Sequence, residues 1–125
     1  MSLGKELELL ASAARTATTT SKEFTVPVNK TGLLVTIEVT VGATLLIDFD
    51  LEVELPGAAA WLPISIDAPS AQGITGTGTT TRFYGPPFVD SAHDDQRVPI
   101  GGNLHVVVRH NNANSATYQV WAQFI

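Results

Sequence analysis

Four carboxylates occupy alternate positions in the stretch LLIDFDLEVELP, residues 45–56: Asp48, Asp50, Glu52 and Glu54. Between them stand Leu45, Ile47, Phe49, Leu51, Val53 and Leu55. A row of acids can do several kinds of chemistry. Calcium binding needs six to eight oxygens converging on one point, usually from a folded loop. Acids at i and i+2 on a strand sit about 6.5–7 Å apart, so a loop would have to supply most of the ligands. Glycoside hydrolysis needs two carboxylates flanking a cleft, one with its pKa raised by apolar surroundings. An open acidic face does not offer that. Two uses remain: a solvated outer face, or a docking stripe for a basic partner.

The other reactive side chains form weaker sets. His93, Asp94 and Asp95 are adjacent in sequence, and sequence neighbours seldom converge on one metal. His105 and His110 fall on opposite faces of a regular strand. Ser65, Ser70, Ser91 and Ser115 lack the GxSxG elbow of a nucleophilic serine. GTGTTT at 76–81 has no following lysine and opens no helix, so it is not a phosphate loop. Trp61 and Trp121 read as packing residues. A groove of Trp61, Phe83 and Tyr84 would point instead to a carbohydrate-binding module. The residues name no catalytic, cofactor or metal site.

The elements that position these groups are strands. Strict alternation over 45–55 marks a strand with one apolar face. A one-residue slip would bury four acids, so the apolar set is expected inside and the acids outside. If the acids are wet, neutralising Asp50 and Glu52 should leave the melting temperature nearly unchanged. GLLVTIEVTV at 32–41 alternates in the same way, and the short link 42–44 predicts a tight hairpin between the two. NLHVVVRH at 103–110 and ATYQVWAQFI at 116–125 predict a second hairpin across the turn-rich 111–115. AWLPISI at 60–66 contains Pro63, which removes a ladder donor and predicts an edge strand or bulge. Residues 73–84 are threonine-rich and extended. Residues 85–102 read as a long loop. Residues 1–12 fit either an edge strand or an extended arm that adds to a neighbour's sheet, and strand is the favoured reading. The whole predicts an all-β antiparallel sandwich, jelly-roll-like, with an arm or edge strand at 1–12 and one domain over 13–125.

Composition bounds the function. With 125 residues the chain makes one domain. Seven Lys and Arg against twelve Asp and Glu give a net charge of −5, which argues against phosphate-backbone binding to nucleic acid. There is no cysteine, hence no disulfide and no thiolate ligand or nucleophile. No apolar run reaches the length of a membrane helix, and the first ten residues do not look like a signal peptide.

Three stretches carry a resemblance: ASAARTATTTS at 11–21, TGTGTTTRFYGPPFVDSAHDD at 75–95, and LHVVVRHNNANSATYQVWAQFI at 104–125. Together they resemble a family of small tailed-phage virion proteins. Leu9 to Thr16, the Thr-rich strand ending Arg82-Phe83-Tyr84, and Val106 to His110 followed by Ala116 to Val120 match the family's pattern. IDFDLEVE departs from it, being more acidic than the corresponding strand. The resemblance implies a non-enzymatic head decoration (cement) protein on the capsid surface. It would bind the major capsid protein lattice, as a trimer, with no nucleic acid, membrane or cofactor. A tail-associated virion protein is the alternative. The expected contact residues are Leu3, Leu7 and Leu10 of the arm and Asp48, Asp50, Glu52 and Glu54 of the acidic row.

Overall fold

A computed structural model describes residues 5–30, 32–55, 60–64, 73–84 and 102–125. The described residues form eight strands: β1 (Leu7–Arg15), β2 (Thr19–Thr20), β3 (Leu33–Val41), β4 (Ile47–Leu55), β5 (Ala60–Ile64), β6 (Gly78–Tyr84), β7 (Leu104–His110) and β8 (Ala116–Phe124). They form two four-stranded antiparallel sheets, ordered β1-β8-β3-β6 and β2-β7-β4-β5. This is the all-β sandwich that the alternation predicts.

The core lies between the sheets. The first sheet contributes Leu33, Val35, Ile37 and Val39 from β3, with Tyr118, Val120 and Ala122 from β8. The second contributes Ile47, Phe49 and Leu51 from β4, with Leu104, Val106 and Val108 from β7. All are β-branched, aromatic or leucine-like except Ala122, and all sit on one parity of their strands, as period-two burial requires. The apolar parity of β4 is the expected one. Its outer end is not sealed, however: Val53 is only half-buried and Leu55 is exposed.

Neither expected hairpin forms. β3 pairs with β6 and β8, and β4 pairs with β5 and β7, so the 42–44 link crosses from one sheet to the other. The 111–115 turn crosses likewise between β7 and β8. Turn residues set where a chain reverses. They do not decide whether the returning strand lies beside its predecessor or faces it across a core. Here two apolar faces meet face to face, which buries more of each. The crossing at 42–44 uses positive φ at Gly42 (154°) and Thr44 (55°). A Cβ on Gly42 would lie 2.7 Å from the Leu45 side chain. The two crossings are tied together, because Asn112 Nδ2 and Asn114 Nδ2 both donate to Thr44 O, at 2.9 and 2.8 Å.

β5 is an edge strand, as Pro63 predicts. Ile47 exchanges both backbone bonds with Ile74. By alternation Leu51, Val53 and Leu55 bond to β5, while Pro63, opposite Glu52, turns its nitrogen to the open side. β1 is the edge of the other sheet. Residues 7–12 therefore belong to a strand paired with β8, continuous through position 13 and interrupted by two register shifts. Leu9 is buried in the core and Leu7 and Leu10 pack partly against it.

Candidate functional site

The acidic row points away from the core, but it is not wet. β4 is an inner strand of its sheet, and β7 runs beside it from Ile47 to Val53. Asp48 and Asp50 are only 6% and 3% exposed, and Glu52 and Glu54 are half-buried. The expectation of a solvated stripe is overturned by what stands opposite. In register, Asp48 faces Arg109 and Glu52 faces His105. Arg109 Nη1 donates to Asp50 Oδ2. Arg109 Nη2 donates to Glu52 Oε2 at 3.3 Å, and His105 Nε2 lies 2.7 Å from Glu52 Oε1. Trp61 of β5 lies flat on the His105 ring, with centroids 3.7 Å apart and planes at 18°.

Arg82 enters from the other sheet. It pairs with core-facing Val35 and so points inward. Its guanidinium sits over the Phe49 ring at 4.3 Å, donates to Phe49 O, and lies 3.9 Å from Asp50 Oδ1. That carbonyl faces the side of β4 on which β5 pairs only from Leu51 onward. Arg82 thus occupies the gap between the Ile74 bridge and the start of β5. The result is a chain of alternating groups, Arg82–Asp50–Arg109–Glu52–His105, running from the core edge to the outer face.

Glu54 is the one member of the row left near solvent, accepting from Asn103 Nδ2 at 3.1 Å. Asp48 is the odd member. Its Oδ1 has no hydrogen-bond partner among the described residues, although Asn111 reaches its carboxyl. Burial pushes the Asp48 pKa up, Asp50 adds to this, and Arg109 and Arg82 only partly offset it. A raised folded pKa means that the ionised form is disfavoured by folding. Stability is therefore lost as pH rises from the unfolded value of 3.8 through the folded one. Asp48→Asn should raise the melting temperature at pH 7, and the gain should fade near pH 3, where both states are protonated. Thermal melts at the two pH values check this; a lower melting temperature at pH 7 would make the Asp48 carboxylate a net stabiliser.

This arrangement holds side chains in place rather than presenting a reacting atom. Both oxygens of Glu52 are engaged. Among the described residues no group of three or more His, Asp or Glu is placed to hold a metal ion. His105 and His110 do lie on opposite faces: His110 Nε2 shares a 2.8 Å hydrogen bond with Tyr118 Oη. The aromatic groove does not assemble. Tyr84 is in the core, Phe83 pairs with Leu34 on the outer face of one sheet, and Trp61 lies on the outer face of the other. Trp121 is 9% exposed beneath the Lys5 ammonium, 4.6 Å from its ring. Of the expected contact residues, Leu7 and Leu10 are partly buried in the fold and Asp48 and Asp50 are fully buried, while Leu3 lies outside the described residues. His93, Asp94, Asp95, Ser65, Ser70 and Ser91 also lie outside them.

The residues that sequence reasoning missed are Arg109 and Arg82. His105 and Arg109 share a parity in the sequence, but only the pairing of β7 with β4 sets them opposite the acidic row. No protein-family model matches the chain, and no curated protein matches it.

Proposed function

We propose that the protein is a non-enzymatic structural component of a tailed-phage particle, a head decoration protein that binds the major capsid protein lattice and stabilises the shell. The observation that carries this reading is where the resembling stretches fall. Residues 11–21 supply the end of β1 and all of β2, residues 104–125 supply β7 and β8, and β1 pairs with β8 while β2 pairs with β7. The third stretch supplies β6. Two of the stretches thus pair with each other in both sheets and the third supplies an edge of the first, as a resemblance carried by structural residues should. The pairings of strand 1 with 8, 2 with 7, 3 with 6 and 4 with 5 support the jelly-roll reading, that of one long hairpin rolled into two sheets.

The mechanism is linkage: a protein that binds only the assembled shell raises its stability by mass action. The acidic row is not the docking surface in this reading, because its best-placed members already have internal partners. The test is the composition of purified particles. The protein should be present in copy numbers comparable with the major capsid protein, and particles lacking it should release their contents at a lower temperature until purified protein is added back. A handful of copies per particle would move it to the tail. Absence from the particle would end the proposal.

A further inference from the structure

Among the described residues each sheet ends in two edge strands, and three of the four edges are blunted. β1 carries two register shifts, and Arg15 occupies the carbonyls of its Ala11 and Ala13. β2 has two residues. β5 has five and turns Pro63 outward. β6 is different. Its seven residues pair with β3 in unbroken register, without proline, lysine or acid. Long flat edges of this kind are templates for another strand, and proteins usually guard them.

We propose that β6 is a self-association edge, pairing antiparallel with β6 of a second copy about a two-fold axis at Thr80. Gly32 exchanges its bonds with Ile125, on the β8 side of β3. By alternation Leu33, Val35, Ile37 and Val39 bond to β6 through Tyr84, Arg82, Thr80 and Gly78. Thr79 and Thr81 therefore turn their backbone N–H and C=O to the side away from β3, where no described residue pairs with them. A two-fold axis at Thr80 brings Thr79 of each copy opposite Thr81 of the other, and each pair exchanges both hydrogen bonds.

The side chains suit this register. Thr79 and Thr81 stand side by side on the outer face, a favourable cross-strand pair. The one bulky charged residue, Arg82, falls opposite Gly78 of the second copy, where there is no side chain to meet. Its own guanidinium is directed inward to Phe49 and Asp50. No like charges meet across the axis. The contact is isologous and closes on itself, which a single flat edge allows. The trimer that the family resemblance implies would need a second complementary edge, and the other three are blunted. The pairing does not rest on the phage reading.

The isolated protein should sediment at twice the 13.3 kDa chain mass. Thr79→Pro removes an N–H on the open side without removing a bond to β3, and should return the mass to that of one chain. The chain has no cysteine, so a single introduced thiol reports cleanly. Across the axis the two Thr80 residues form a non-hydrogen-bonded pair, with Cα atoms about 4.5 Å apart, within the roughly 4.4–6.8 Å of a disulfide. Thr80→Cys should oxidise to a covalent dimer almost completely, and Thr40→Cys, at an exposed position on β3, should not. A wild-type mass other than that of two chains, or a Thr80→Cys protein that stays uncrosslinked, overturns the proposal. If Thr79→Pro does not fold, the sedimentation and the thiol pair decide alone.

Discussion

Asp50→Asn should lower the melting temperature by on the order of 10 °C, a loss of about 3 kcal/mol. The Asp50 side chain is 4% exposed and holds Arg109 directly and Arg82 electrostatically. Its neutralisation removes a compensating charge from beside two guanidiniums, themselves only 17% and 32% exposed. Truncating one partner of a buried pair is costly for that reason, more than for the attraction lost. The lower end of the usual range applies, because Arg109 keeps Glu52. The solvated-stripe reading of the same residues gives almost no change. Thermal melts at neutral pH separate the two: a shift below about 2 °C would return Asp50 to the class of surface charges.

The second large effect is at Phe49. It is completely buried, and Phe49→Ala should lose about 4 kcal/mol through lost burial and the cavity left behind. Phe49 also bears the Arg82 guanidinium on its ring. The double variant with Asp50→Asn should therefore lose less than the sum, by about 1 kcal/mol, since each change alone already weakens the hold of β4 on Arg82. If the alanine variant is too unstable to measure, Phe49→Leu keeps apolar volume and removes the ring face, worth about 1 kcal/mol with a partly desolvated cation. Strict additivity in urea melts would mean that Arg82 does not link the core to the charged face.

Much of this is legible in the sequence. The parity of β4 follows from a pattern in which one slip buries four acids, and the edge position of β5 follows from Pro63. The sheet assignments were not legible. A short link such as Gly42-Ala43-Thr44 has hairpin chemistry, and nothing local says that Leu33–Val41 and Ile47–Leu55 face each other instead of pairing. The wetness of the acids was not legible either. It depends on Arg109, some sixty residues downstream, meeting the row in register, and on Arg82 pointing inward from the other sheet. Arg82 leaves no periodic trace, because its parity on β6 holds Gly78, Thr80 and Tyr84 rather than an apolar run that would mark the inward face.

The interleaving of the strands also has a consequence in time. β1 and β3 both lie against β8, and β2 and β4 both lie against β7. A nascent chain that has emerged as far as residue 100 holds six strands and not one of the two that join each sheet's halves. The sandwich cannot close from β1 to β6 alone; it waits for β7 and β8. Folding that depends on partners so distant along the chain is slow. Until those residues arrive, the apolar faces of β3 and β4 depend on the cell to keep them apart from other chains.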